Sequence, residues 1–155
     1  IDVAMSKGDD NKIRLQRNTA VAGSFTASSL GTAVNITTGT GTYRLKLADL
    51  NGDGKPELVT AGSSGIVSVY RNTATSGVIN SSTFATPVTV SGLGSTLSIA
   101  IDDMDGDGKP DIVLGGWGSG SVIVLRNTSV GTTISFASAV SVTGLANPWD
   151  FRMAD

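Results

Sequence analysis

The sequence predicts an all-β chain of three repeated units, each a sheet of four short antiparallel strands. Three observations carry this expectation. An acidic nine-residue loop occurs twice, as Asp49-Leu-Asn51-Gly-Asp53-Gly-Lys55-Pro-Glu57 and as Asp103-Met-Asp105-Gly-Asp107-Gly-Lys109-Pro-Asp111. The two copies start 54 positions apart, and Arg17-Asn18-Thr19, Arg71-Asn72-Thr73 and Arg126-Asn127-Thr128 recur in step with them. Between these landmarks the apolar residues alternate with polar ones, which is the period of a half-buried strand. No window carries helical spacing.

Each element follows from its residues. The first strand of a unit runs into the acidic loop and alternates as Tyr43, Leu45, Leu47, then Leu97, Ile99, Ile101, then Trp149, Phe151, Met153. The second strand leaves the loop as a continuous apolar run, Leu58-Val59 or Ile112-Val113-Leu114. The third carries Ile13 and Leu15, Val67 and Val69, or Val122 and Val124, and ends at the Arg-Asn-Thr turn. The fourth holds Val34 and Ile36, Val88 and Val90, or Val140 and Val142, each pair preceded by a phenylalanine, Phe25, Phe84 or Phe136. Gly-Ser and Ser-Gly turns join them.

Four antiparallel strands in about 50 residues make a β-propeller blade. A single twisted sheet cannot cover both of its faces, and stacking blades side by side does so. The repeat copies span 1–48, 49–102 and 103–155 of one repeat domain. Asp2-Val3-Ala4 aligns with Asp111-Ile112-Val113, and Asp155 aligns with Asp103. The chain therefore reads as three blade-equivalents with split-blade termini, its N-terminal unit supplying strands two to four and its C-terminus a lone first strand. Three blades form an open arc, since rings typically close with about four to eight. Two arcs closing as a homodimer into a six-bladed ring is one expectation, with Trp149–Asp155 of one copy completing the blade begun by Ile1–Thr19 of the other. The remainder of a longer propeller is the alternative partner. The similarity of the copies points to duplication, natural or engineered.

The loops carry the chemistry. Positions 1, 3 and 5 offer one side-chain oxygen each, from Asp49, Asn51 and Asp53 or from Asp103, Asp105 and Asp107. Position 7, Lys55 or Lys109, offers its carbonyl while its ammonium points to water, and position 9, Glu57 or Asp111, closes the site with one or both oxygens. Hard oxygen donors in adaptable geometry suit Ca²⁺. The second loop holds four acids and the first only three, so the second is expected to bind more tightly. An EF-hand needs Glu at position 12 and flanking helices, but Thr60 and Leu114 stand there, within β-like runs.

These residues resemble the FG-GAP/VCBS repeat, related to the propeller of integrin α-chains. The resemblance covers essentially the whole chain. It implies a β-propeller with Ca²⁺ between the first and second strands of a blade, held by Asp49, Asn51, Asp53, the Lys55 carbonyl and Glu57, and by Asp103, Asp105, Asp107, the Lys109 carbonyl and Asp111. Of a third loop only Asp155 and Asp2 are present, at positions 1 and 9 on opposite chain ends, and the sequence leaves open whether they bind metal.

Composition bounds the rest. The chain has 155 residues, 39% hydrophobic and 15% charged, with a net charge of −2, no Cys and no His. That excludes disulfides, thiolate chemistry and every His-dependent nucleophile. It offers no basic surface for nucleic acid and no apolar run long enough for membrane insertion. Acids outside the loops, Asp9, Asp10, Asp102 and Asp150, form no catalytic pair, so no enzyme is expected. A calcium-stabilised scaffold for protein or ligand interaction is the leading expectation. A carbohydrate-binding, lectin-like module is the alternative, with Trp117 in Gly-Gly-Trp-Gly-Ser-Gly as its possible glycan contact. The repeated Arg17, Arg71 and Arg126 are expected to pack their stems and bond turn carbonyls. Loops of this kind suit the millimolar Ca²⁺ outside cells, so a secreted or cell-surface location is expected.

Overall fold

In a computed structural model, residues 2–7, 10–39, 41–75, 78–116 and 120–144 are described. They form eleven strands in three antiparallel sheets. The first sheet is β1 (Val3–Lys7), β2 (Lys12–Gln16) and β3 (Val34–Thr37). The second is β4 (Thr42–Ala48), β5 (Glu57–Gly62), β6 (Val67–Tyr70) and β7 (Val88–Val90). The third repeats that plan with β8 (Thr96–Asp102), β9 (Asp111–Gly116), β10 (Ser121–Leu125) and β11 (Val140–Val142). Apart from one 3₁₀ turn at Ala27–Ser29, no helix occurs among the described residues. This is the all-β, blade-like arrangement that the repeat predicts. The predicted first strand at Trp149–Met153 lies outside the described residues, and β1 has one sheet neighbour, β2, among them.

The sheets stack in sequence order, and each inner strand lies against the next sheet, β1 against β4 and β4 against β8. Two apolar cores fill the gaps. Ile13, Leu15 and Ile36 meet Leu58 and Tyr70 between the first and second sheets. Val59, Ala61, Val67 and Val69 meet Ile99, Ile112, Leu114, Ile123 and Leu125 between the second and third. The middle sheet is therefore covered on both faces. Neighbouring residues of β5 serve opposite cores, Leu58 one and Val59 the other, and β5 and β9 are buried throughout. Coverage on both sides is why β5 is a continuous apolar run and not an alternating one, and β9 repeats that run.

The internal repeat extends to irregular details. Both β4 and β8 carry a register shift at the same point, between Thr42 and Arg44 and between Thr96 and Ser98. Beside it Gly62 crosses the chain so closely that a Cβ there would lie 1.6 Å from the Gly41 carbonyl oxygen. No residue with a side chain fits that crossing.

One predicted equivalence needs correction. Phe25 was aligned with Phe84 and Phe136, but it stands exposed, and Leu30 takes the matching place. Asn18 bridges to Leu30 as Asn72 does to Phe84 and Asn127 to Phe136. Leu30 stands twelve positions after Asn18 and four before Val34, the same spacing as Phe84 after Asn72 and before Val88, so the bridging place holds a leucine in the first unit and Phe25 falls five residues short of it.

Candidate metal centre

The two acidic loops sit at the ends of β4 and β8 and share one internal plan. The position 1 carboxylate organises each. Asp49 Oδ1 accepts the N–H groups of Gly52 (2.8 Å) and Asp53 (3.1 Å), and its Oδ2 accepts that of Gly54 (2.7 Å). Asp103 does the same for Gly106 (2.8 Å), Asp107 (3.2 Å) and Gly108 (2.7 Å). Positions 3 and 5 continue the pattern, Asn51 and Asp105 accepting from position 5, and Asp53 and Asp107 accepting from the amides of Lys55 and Lys109. These tight turns need positive φ at Gly52 (76°), Gly54 (82°), Gly106 (76°) and Gly108 (84°), the region where a Cβ is disfavoured.

Position 9 is the link to the sheet. Glu57 is fully buried; its Oε2 accepts the Leu50 N–H (2.9 Å) and its Oε1 the Asn72 N–H (3.3 Å). Asp111 makes the same bracket, to Met104 N–H (3.0 Å) and Asn127 N–H (2.7 Å). In the first unit Asp2 accepts the Asn18 N–H (2.8 Å). The acid that was assigned to close the ion site thus also fastens the loop to the end of the third strand. Each carboxylate oxygen carries two lone pairs, so these bonds leave room for a cation.

In the second loop, ligand oxygens of Asp103, Asp105 and Asp111 lie within 4.8 Å of one another. Hard, anionic oxygen donors at that separation fit a hard divalent cation. Asp107 lies at the same loop, and the Arg126 guanidinium stands 3.6 Å from Asp105 and 3.9 Å from Asp107. Arg126 was expected at a turn carbonyl; it instead lends positive charge to the acidic cluster. Lys109 also differs from expectation, its ammonium donating to the Ser129 carbonyl (3.2 Å) instead of pointing to water. Asp102, flanking the loop, accepts the Asp103 N–H (3.0 Å). In the first loop Asn51 Nδ2 donates to Asp53 (3.4 Å), a bond for which Asp105, at the same place in the second loop, has no N–H.

Two contributions were not foreseen. Leu50, at position 2 of an otherwise acidic loop, is 1% exposed and belongs to the core between the second and third sheets. Asn127, 0% exposed, donates through Nδ2 to the carbonyls of Leu50 (2.7 Å) and Pro110 (2.9 Å) and accepts the Ser129 N–H (2.9 Å). It ties the loop of one blade to the body of the next. The recurrence of Asn in every Arg-Asn-Thr turn was the available signal. Trp117 lies outside the described residues.

The family comparison accords with this geometry. The FG-GAP-like repeat matches three times, over residues 1–60, 49–114 and 103–155. The chain belongs to the FG-GAP-like repeat family. No curated protein and no solved structure matches it. The FG-GAP-like repeats and the three stacked sheets together make a propeller-like scaffold. Among the described residues no helix is long and apolar enough to cross a membrane.

The Glu57 carboxyl of the first FG-GAP-like loop is held above the usual value of 4.5, chiefly by burial; the Leu50 and Asn72 N–H groups pull it down, and Asp53 and Asp49 push it up. Between 4.5 and the raised value the folded state therefore keeps a proton that the unfolded state releases. The resulting stability is present below 4.5 and lost as pH rises through the raised value. In cation-free buffer the melting temperature is expected to fall across that window, and Glu57→Gln to flatten the slope. An unchanged slope in the variant would assign the effect to another group.

Proposed function

We propose that the protein is a calcium-stabilised, non-enzymatic propeller scaffold for protein or ligand interaction. The observation that carries this reading is the convergence of Asp103, Asp105 and Asp111 where a loop joins two strands. A cation there relieves the mutual repulsion of the acids and adds its binding free energy to the folded state. The first loop, with Asn51 in place of an acid, is the weaker site.

The ring is completed by association. The outward face of the third sheet presents Val122, Val124, Val140 and Val142, the last two 61% and 54% exposed. On the second sheet the matching residues Val67, Val69 and Val90 pack against a neighbouring sheet. A second copy placed head to tail would cover this face, and two arcs related by a two-fold axis give six blades. Repeats of this family occur in extracellular and surface proteins, which supports a secreted or cell-surface setting.

One paired measurement tests both parts. With free Ca²⁺ at a hundred times its dissociation constant, binding contributes about 2.7 kcal/mol. For a chain of this size that raises the melting temperature by roughly 5–10 °C. A chelator should remove the gain, and Asp105→Asn should reduce it. A melting temperature indifferent to the chelator would refute the metal. Light scattering should give twice 15.7 kDa, and a monomer at micromolar concentration would refute the closed dimer.

A further inference from the structure

The two acidic loops differ at position 3, and the nearby arginine differs with it. That position is Asn51 in the first loop and Asp105 in the second. Arg126 places its guanidinium 3.6 Å from Asp105 Oδ2 and 3.9 Å from Asp107 Oδ2. Arg71, which matches Arg126 beside the first loop, makes no ion pair among the described residues. Asn51 leaves Asp53 as a single carboxylate where Arg126 spans two. Leaving aside the lysine that both loops share, the second loop and its arginine carry four formal negative charges and one positive. The balance of −3 equals that of the first loop, whose three acids have no such partner.

The contact is a loose one. Both separations exceed the roughly 2.7–2.9 Å of a charge-assisted hydrogen bond, so the guanidinium lies between two carboxylates and is locked to neither. Its side chain is 50% exposed, and exposed pairs of this kind are weak. Water stands ready to solvate the guanidinium when it moves away. Arginine stays protonated in proteins, so its charge is permanent. Asp105 is also one of the three acids whose oxygens converge within 4.8 Å. A divalent cation on those oxygens repels a guanidinium drawn to the same carboxylates.

We propose that Arg126 is a tethered competitor at the second loop. It neutralises Asp105 and Asp107 while the loop is metal-free. It withdraws toward solvent when a divalent cation binds, which lowers the affinity of that site. Arg126 thereby narrows the gap that Asp105 opens between the two loops, whose order by acid count stands. This rests on the reading of the loops as cation sites.

Calcium alone is the probe, titrated by calorimetry into the full chain after chelator treatment. Asp105→Asn identifies the second loop's binding step as the one it weakens. Arg126→Gln should tighten that step by about threefold to tenfold at about 0.1 M salt, and by less at about 1 M, where the Debye length falls to about 3 Å. Arg126→Lys keeps the charge and should bind like the parent. Arg71→Gln should leave the first loop's step unchanged. Arg126 is half-exposed, so its variants are expected to fold, which circular dichroism checks. In chelator, Arg126→Gln should melt about 1–3 °C below the parent. A weaker metal-free protein that binds calcium more tightly is a pair of signs that general loss of structure does not give. A second step that Arg126→Gln leaves unchanged or weakens overturns the proposal. So does an Arg126→Lys variant that tightens it as much as Arg126→Gln, or an Arg71→Gln variant that tightens the first step equally. A parent chain that takes up no calcium would sink the cation reading itself, and the proposal with it.

Discussion

Replacing Asn127 by Ala is expected to destabilise the protein by about 4 kcal/mol, read from the urea midpoint. Asn127 is fully buried, and its amide serves three backbone groups, the Leu50 and Pro110 carbonyls and the Ser129 N–H. A buried polar group without a partner costs roughly 1–3 kcal/mol, and a water entering the small void recovers part of that. Asn72→Ala is the internal control. Asn72 makes the equivalent bonds to Pro56 and Ala74 but, among the described residues, none across to a neighbouring loop, and it is only partly buried. Its loss should cost about 1 kcal/mol. Equal effects at the two positions would show that the bond between blades contributes nothing.

Leu50→Ala is expected to cost about 3 kcal/mol, within the range for a buried leucine cut back to alanine. Leu50 is 1% exposed and forms part of the larger core. Its twin in the second loop, Met104, is 46% exposed, so Met104→Ala should stay within about 0.5 kcal/mol of the parent. The two residues share a loop position and differ in whether a blade lies beyond them. Similar losses at both, measured by chemical unfolding, would rule out the packing role given to Leu50.

Most of the architecture was legible because its signals are local. Alternation marked β4 and β8, and the unbroken runs at Leu58-Val59 and Ile112-Val113-Leu114 marked strands buried along their whole length. The acidic loops were legible because Asp and Gly recur at fixed spacing and the turns leave few other residues possible. What the sequence concealed is non-local. The reach of Asn127 to Leu50 spans 77 positions, and nothing in either residue's neighbours announces it. Arg126 was assigned to carbonyls because arginine at a turn usually has one near; the acids that claim it come from a loop some twenty residues earlier. Phe25 was misaligned because residue type outweighed spacing: Leu30, four residues before Val34 as Phe84 is before Val88, takes the bridging place opposite Asn18.

The bond from Asn127 to Leu50 has a consequence for how such an array grows. What is copied in the sequence and what stands up in space have different borders, because the loop at 49–57 is finished by a residue belonging to the following copy. A duplicated stretch thus arrives already carrying the fastening for its predecessor and the demand for a successor. Arrays of this kind can gain or shed whole copies without redesigning any seam, and only the two extremities need a separate solution.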